Sequence, residues 1–140
     1  MIWRPRNETE EDIQNENRVA QLLATKWSCD VHKLSEMLYP VDWVFSRENE
    51  VVAYGEFKKR NKKFNSVLLS AAKYYRMQDF VRQTNKPVLL IIEWPNELAY
   101  VDFLKETLNL ETKIGGNSRG QNGDIEPVVY IPVDKFVVIE

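Results

Sequence analysis

Apolar residues in the first part of the chain recur with the period of an α-helix. They occupy one face of residues 9–27, at Ile13, Ala20, Leu23 and Trp27. Thr9 and Asp12 have the spacing of a capping box, which predicts that the helix begins near Thr9. Glu16 lies within the apolar face, and a buried carboxylate is unfavourable unless a cation or hydrogen-bond donors meet it. Glu16 is therefore expected to have a partner in the folded protein.

Two segments with the composition of β-strands follow, at residues 40–46 and 51–58, with a polar turn between them. This arrangement is typical of a β-hairpin. Asp42 lies near the start of the first predicted strand. Because side chains alternate across a strand, Glu56 and Lys58 share one face of the second strand, about 7 Å apart.

The rest of the chain predicts one further helix and several strands. The helix is expected from Asn65 or Ser66 to about Thr84, and the apolar run at 87–92 is typical of a strand covered on both faces. The remaining segments are, in order, a strand or turn at 29–34, a segment at 97–108 that favours a strand followed by a helix, a polar loop at 115–123, and short strands at 128–133 and 136–139. This order predicts an α/β fold in which a mixed central sheet is flanked by helices, with strands added at the C-terminal end.

The composition indicates one folded domain spanning residues 1–140. Hydrophobic residues make up 44% of the chain, which contains four Trp, six Tyr and six Phe. The apolar runs are far shorter than the ~20 residues of a membrane span, and the first residues do not resemble a secretion signal, so we predict a cytoplasmic protein. One cysteine and one histidine exclude an internal disulfide and a Cys/His zinc site. We expect Cys29 to be a small buried apolar residue and His32 to be structural.

The charges are strongly segregated along the chain, although the formal net charge is only −2. Residues 1–50 carry ten acidic and six basic side chains, a balance of −4. Residues 56–86 carry nine basic and two acidic side chains, a balance of +7. Such a local field attracts phosphate or another polyanion, whereas the alternative interpretation is an ordinary solvated basic face.

Asp42, Glu56 and Lys58 are the candidates for chemistry. The predicted hairpin brings the Asp42 strand alongside the other, so two carboxylates and one ammonium can share a site. Hard divalent cations such as Mg²⁺ are bound by one or two carboxylates together with water and phosphate oxygens. A lysine at such a site can position or deprotonate a water molecule, or stabilise charge on a phosphodiester. The basic stretch begins at this same lysine, where a phosphate backbone would lie.

These residues resemble the motif of the PD-(D/E)XK nuclease superfamily, whose members share a restriction-endonuclease-like αβββαβ core. The matching stretches are residues 40–45 and 55–59, although Val41 separates the proline from the aspartate here. The resemblance implies that Lys58 is the catalytic lysine and that one divalent cation is bound, Mg²⁺ or in its place Mn²⁺. The implied metal ligands are Asp42, Glu56 and the carbonyl of Phe57. Glu16 would be an auxiliary ligand or would orient the site.

The resemblance also implies polar residues on the second helix that face the site, and a nucleic-acid substrate. The auxiliary candidates are Lys73, Tyr74 and Gln78, of which the last two would otherwise be packing residues. The basic residues predicted to contact the phosphate backbone are Lys59, Arg60, Lys62, Lys63 and Arg76. The implied function is a Mg²⁺-dependent DNA endonuclease, in a homodimer if both strands are cut. The small size favours a structure-selective or accessory nuclease of a phage or mobile element.

Two other functions fit the same residues. One is a non-catalytic nucleic-acid-binding domain with the same fold, and the other is a subunit whose basic face docks an acidic protein. In both, Asp42 caps a turn, and Glu56 and Lys58 form an ordinary charge pair on a solvated face. A pure binder has no need of acids near phosphates, so the three residues together favour catalysis. Arg119 fits either a surface loop or a contact with nucleic acid.

Overall fold

Within the residues that the computed structural model describes (9–35, 37–106, 108, 110–115 and 126–140), a mixed sheet of six strands lies between two α-helices. The helices are α1 (Glu10–Trp27) and α2 (Ala71–Thr84), and a short 3₁₀ helix covers Val133–Lys135. The strands are β1 (Asp30–Lys33), β2 (Trp43–Arg47), β3 (Glu50–Lys59), β4 (Ser66–Ser70), β5 (Val88–Trp94), β6 (Glu97–Asp102), β7 (Thr112–Gly115), β8 (Glu126–Pro132) and β9 (Val137–Val138).

The first helix begins as predicted, at a capping box. The Thr9 hydroxyl accepts a hydrogen bond from the backbone N–H of Asp12 (3.0 Å), and the Asp12 carboxylate accepts one from the N–H of Thr9 (3.2 Å). The buried face consists of Glu16, Val19 and Leu23, whereas Ile13 is 44% exposed. The predicted stripe was therefore wrong at Ile13, because the face that meets the sheet is rotated from the one on which Ile13 lies.

The central sheet has the strand order β1-β2-β3-β5-β6-β9, with β3 and β5 parallel and the other neighbours antiparallel. The predicted hairpin is confirmed as β2–β3. Its turn residues Glu48 and Asn49 have φ angles of 50° and 66°, which match the twist of a tight hairpin. β2 begins at Trp43 rather than at residue 40, so Asp42 directly precedes the strand.

The two helices cover opposite faces of the sheet. Residues of α1 pack against Trp43, Phe45 and Ile91, and residues of α2 pack against Val88, Leu90 and Ile92. Strand β5 is therefore buried on both faces, as its continuous apolar run predicts. In the parallel register, Glu56 and Lys58 stand beside Leu90 and Ile92 and so face α2, whereas Phe57 and Lys59 face α1.

The predicted start of the second helix at Asn65 or Ser66 was wrong. Ser66–Ser70 forms β4, and the helix begins at Ala71 with Ser70 as its N-cap. In β4 the alternate residues Val67 and Leu69 are buried while Leu68 is 38% exposed, the period of a strand. The partner that stabilises this strand, β8, lies far away in the sequence.

The C-terminal strands do not all extend the central sheet. β8 pairs with β4 and with β7, a strand that was not predicted, to form a second sheet in the order β4-β8-β7. β9 pairs with β6 at the edge of the central sheet. The strand predicted near residue 97 is confirmed as β6, but the helix predicted after it is wrong for the described residues 103–106. Of the predicted loop at 115–123, Gly115 ends β7 and the rest, with Arg119, lies outside the described residues.

The architecture confirms the predicted fold class, a mixed central sheet flanked by helices. In the described parts of the chain, neither α-helix is long and apolar enough to cross a membrane.

Candidate active site

A cleft of about 300 Å³ opens beside the ends of β2 and β3, on the face of the sheet covered by α2. The structure brings Asp42, Glu56 and Lys58 together there. The residues that line the cleft are Tyr39, Pro40, Val41, Asp42, Glu56, Phe57, Lys58 and Lys73. Four of these side chains are charged, two negative and two positive.

Backbone hydrogen bonds fix Asp42 against β3, although it lies outside β2. Its N–H donates to the carbonyl of Gly55 (3.0 Å), and its carboxylate Oδ2 accepts from the N–H of Phe57 (3.1 Å). Gly55 also lets a core ring approach, because a Cβ there would lie 2.8 Å from the Phe45 ring. The two bonds hold the carboxylate of Asp42 beside the residue that separates Glu56 from Lys58.

Glu56 is buried with half of its carboxylate unsatisfied. The residue is 4% exposed, and its Oε2 lies 2.9 Å from Nζ of Lys73. Lys73 also donates to the carbonyl of Pro40 (3.0 Å), which fixes its ammonium in the cleft. The other oxygen of Glu56, Oε1, is buried without a hydrogen-bond partner among the described residues. A buried acceptor without a partner is costly, so Oε1 indicates a ligand that the bare chain does not supply.

The surroundings of Glu56 and Lys58 shift the pKa values of both side chains towards neutrality, upwards for Glu56 and downwards for Lys58. Burial, reinforced by the nearby charge of Asp42, raises the pKa of Glu56 to about 7, and Lys73 and Lys58 oppose that rise. Burial lowers the pKa of Lys58 from its ordinary value, against the opposing effect of Glu56. Groups whose pKa values lie closer to neutrality exchange protons more readily at physiological pH.

The donor set fits a hard divalent cation that shares its coordination with water and substrate. In proteins Mg²⁺ is usually bound through one or two carboxylates plus phosphate oxygens. Asp42 and Glu56 supply two carboxylates from the cleft lining, and the buried Oε1 of Glu56 is an acceptor without a partner among the described residues. No group of three or more His, Cys, Asp or Glu side chains converges within the described ranges, so these residues do not form a cage made of protein ligands alone.

Glu16 does not join this set of carboxylates. Its Oε1 accepts hydrogen bonds from Nζ of Lys33 (2.8 Å) and from the indole N–H of Trp43 (3.0 Å). Trp43 in turn stacks on Phe57, with ring centroids 5.4 Å apart and an interplanar angle of 16°. Glu16 therefore has the partners that its burial requires, on the α1 face, and it orients the aromatic pair behind the cleft. Lys33 and Trp43 were not predicted as its partners. They stand opposite each other in the β1–β2 register, a pairing that no local pattern specifies.

Of the three auxiliary candidates on α2, only Lys73 lines the cleft. The Tyr74 hydroxyl donates to the carbonyl of Leu108 (3.3 Å) and accepts from the side-chain amide of Gln78 (3.1 Å). Tyr74 is buried in the core on this face of the sheet. Neither Tyr74 nor Gln78 lines the cleft, and their contacts fit the alternative left open for them, a packing role.

None of the five predicted nucleic-acid-binding residues lines the cleft. Lys59, Arg60, Lys62 and Lys63 lie at the end of β3 or directly after it, and Arg76 lies on α2. Lys59, Lys62 and Arg76 are exposed, and the Arg60 guanidinium donates to the carbonyl of Lys59 (3.0 Å). Lys63 is already engaged, because its ammonium lies 2.5 Å from Glu97 and 4.9 Å from the centroid of Trp94. Exposed, weakly engaged cations are the ones available for phosphate contacts.

Neither Cys29 nor His32, the two residues expected to have no role in the site, lines the cleft. Cys29 is partly buried beside the α1 core. His32 is exposed, with Nε2 3.2 Å from the Ser46 hydroxyl.

The raised pKa of Glu56 predicts a pH-dependent stability. Its carboxyl has an ordinary pKa of 4.5 and a pKa of about 7 in the folded protein, so folding favours the protonated form. The stability that the protonated Glu56 contributes to the folded protein is complete below pH 4.5 and is lost as the pH rises through 7. We expect the free energy of unfolding of the metal-free protein, relative to that of Glu56→Gln, to fall by about 3 kcal/mol between pH 4.5 and 8. Urea denaturation in EDTA across this range measures it.

Metal binding should reverse this loss, since a cation favours the ionised carboxylate that the proton opposes. Added Mg²⁺ is expected to stabilise the wild type more at pH 8 than at pH 6, and Glu56→Gln little at either. Glu97→Gln is a matched control, because it removes a carboxylate outside the cleft that is paired with Lys63. A pH-independent difference between wild type and Glu56→Gln would contradict the assignment of the titrating group.

A comparison with curated proteins gave no match. Among solved structures, the fold is similar to the 1.6 Å structure of Hjc from Archaeoglobus fulgidus, a Holliday junction resolvase from an archaeal hyperthermophile. The TM-score is 0.54 at 16% sequence identity, and the superposition covers 85% of this chain and 94% of that one. This likeness confirms the restriction-endonuclease-like fold.

A family model described as "Phage putative PDDEXK endonuclease" matches residues 2–139. The match contains the two predicted motif stretches and both helices, so it extends over the whole sheet that carries the cleft. The chain belongs to this phage PD-(D/E)XK endonuclease family.

Proposed function

We propose that the protein is a Mg²⁺-dependent endonuclease that hydrolyses phosphodiester bonds of DNA. The observation that carries the proposal is the buried, half-unsatisfied carboxylate of Glu56, in one cleft with Asp42 and Lys58. A domain that only binds nucleic acid gains nothing from two carboxylates where phosphates would lie. Membership of the nuclease family and the restriction-endonuclease-like fold support the same activity.

Asp42 and Glu56 would hold the cation, with the Phe57 carbonyl as the third protein ligand. Mg²⁺, or Mn²⁺ in its place, would lower the pKa of water and offset the charge that develops on the scissile phosphate. The hydrogen bond from Phe57 N–H to Asp42 orients that carboxylate before any cation binds. Glu16 contributes indirectly, by orienting Trp43 against Phe57.

Lys58 has the position and the electrostatics of the catalytic lysine. It lines the cleft two residues after Glu56, and burial lowers the pKa of its ammonium. It can therefore orient the attacking water, accept its proton, or stabilise charge on the phosphate. Lys73 pairs with Glu56 in the metal-free protein, and its ammonium adds a second positively charged side chain, after Lys58, where a phosphate would enter.

Cleavage assays on several nucleic acids test the proposed activity. The substrates are supercoiled plasmid, single-stranded DNA, a four-way junction and an RNA duplex, each with Mg²⁺, Mn²⁺ or EDTA. The junction is included because Hjc is a Holliday junction resolvase. We expect DNA cleavage with either metal and none in EDTA. Accumulation of nicked plasmid before linear plasmid would indicate one strand cut per binding event, whereas two concerted cuts would support a homodimer. Intact DNA under all conditions would contradict the proposal.

The exposed basic residues near β3 are expected to bind the DNA backbone without reading its sequence. Lys59→Ala/Lys62→Ala should weaken binding to all sequences alike and reduce the slope of log K against log salt by about 0.9 for each lost contact. Lys63→Ala should have a smaller effect, because Glu97 already pairs with Lys63. Fluorescence anisotropy between 50 and 200 mM salt measures both quantities.

Lys26→Ala is the control for a general loss of positive charge, since Lys26 lies in the last turn of α1 and its ammonium is 3.7 Å from Glu140. If the double variant keeps the affinity and the salt slope of the wild type, the DNA backbone lies on another surface.

A further inference from the structure

A turn with two highly exposed apolar side chains lies directly before the cleft residues. Met37 is 70% exposed and Leu38 is 77% exposed. The turn is closed at its base, because the carbonyl of Ser35 accepts hydrogen bonds from the N–H groups of Leu38 (3.3 Å) and Tyr39 (3.1 Å). Neighbouring exposed apolar side chains on a surface that is otherwise polar mark an interaction site.

The turn is anchored to the catalytic framework on both sides. The N–H of Leu34 donates to the carbonyl of Asp42 (2.7 Å), so the segment starts and ends at β1 and the active-site aspartate. Tyr39 packs edge-on against Phe80 of α2, with ring centroids 6.4 Å apart. Met37 and Leu38 are therefore presented from a fixed base.

The position of the turn limits what can contact it during the reaction. Tyr39 and Pro40 line the cleft, and the Pro40 carbonyl binds Lys73, the partner of Glu56. Leu38 is two residues before Pro40, so it lies within about 7 Å of the cleft rim along the chain. Successive nucleotides in one strand of a duplex are about 3.4 Å apart along the axis. Bases one or two steps from a phosphate in the cleft are therefore at a distance that Met37 and Leu38 can reach.

We propose that Met37 and Leu38 form an apolar wedge that inserts between bases beside the cleaved phosphate. The inference deepens the proposed nuclease function and rests on it. Cations at Lys58 and Lys73 attract the backbone into the cleft, while apolar side chains at its rim meet the faces of bases, which are the apolar part of DNA. Leu and Met wedges of this type unstack a base step, and opening the stack is easiest where it is already interrupted. The substrate class this favours is DNA with a branch, nick or mismatch.

Binding and base-stacking measurements on a double variant test the wedge. The variant Met37→Ser/Leu38→Ser is compared with Ile114→Ser, a control on β7 outside the cleft lining whose side chain is 72% exposed. The DNAs are a continuous duplex and the same duplex with a central mismatch or branch, carrying 2-aminopurine at the interruption, all in EDTA. We expect wild type and control to bind interrupted DNA about tenfold more tightly and to raise the 2-aminopurine fluorescence. The double variant should lose both effects and keep its affinity for continuous duplex.

The outcomes separate this inference from the proposed function. If the double variant keeps the preference and the fluorescence rise while the wild type cleaves DNA with Mg²⁺, the wedge is wrong and the nuclease assignment stands. If the wild type neither binds nor cleaves DNA, both fail. Sedimentation velocity of each protein without DNA tests whether Met37 and Leu38 instead join two copies of the chain. If the wild type is a dimer and the double variant is a monomer, the two residues form a contact between copies, and the wedge is wrong.

Discussion

Asp42→Asn and Glu56→Gln are each expected to reduce metal-dependent DNA cleavage by roughly a thousandfold or more, because each removes one of the two carboxylates that would hold the cation and offset charge in the transition state. Both variants should fold. Neither change alters the volume of its side chain, and Glu56→Gln removes a charge whose burial opposes folding. Single-turnover cleavage with Mg²⁺ and thermal unfolding in EDTA measure the two expectations separately.

Glu97→Gln again serves as the matched control, with near-normal cleavage expected, since Glu97 lies outside the cleft lining. Normal cleavage by either Asp42→Asn or Glu56→Gln would remove that residue from the active site. Loss of folding in either variant would show up as a lost unfolding transition. Asp42→Glu or Glu56→Asp, which keep the charge and change only the length of the side chain, would then replace the variant at the same position.

Lys58→Ala is expected to slow the cleavage step by on the order of a hundredfold or more, the effect of losing a proton-transfer or charge-stabilising group. Affinity for DNA should change much less, on the ~1 kcal/mol scale of a single exposed charge contact. Lys59→Ala provides a control of equal charge on the adjacent residue. Lys59 stands beside Glu93 in the parallel register and faces α1, away from the cleft.

Single-turnover kinetics at saturating enzyme separate chemistry from binding in this pair of variants. Lys59→Ala should show weaker binding and a near-normal cleavage rate once bound, the reverse of Lys58→Ala. Equal losses of rate in both, or normal cleavage by bound Lys58→Ala, would place Lys58 among the backbone-binding cations instead.

The parts of the fold that could be predicted from the sequence are those specified by neighbouring residues. The capping box at Thr9 and the polar turn between β2 and β3 are local signals, and both formed where expected. β4 could not be predicted in this way. The spacing of Val67, Leu68 and Ala71 fits a helix as well as a strand, and the choice is made by pairing with Val129 and Ile131, about sixty residues later.

The same distinction applies to the site. Alternation along one strand was enough to place Glu56 and Lys58 on a common face, and the hairpin brought Asp42 to them. Which residue of α2 would reach the cleft depends on how the helix is rotated, so Lys73 could not be distinguished from Tyr74 and Gln78 beforehand. The partners of Glu16 come from two other elements, β1 and β2, whose register no local pattern specifies.

The parallel pairing of β3 with β5 has a consequence for when the cleft can assemble during synthesis. Glu56 is buried only once β5 lies beside β3, and Lys73 reaches it only through the crossover that contains β4 and α2. β4 in turn pairs with β8, so Ser66 has no partner strand until Pro132 has emerged from the ribosome. Contacts so distant in sequence form late in folding. A chain in which β8 has not yet paired with β4 therefore carries both carboxylates and the lysine without a fully assembled cleft, and we expect it to be inactive.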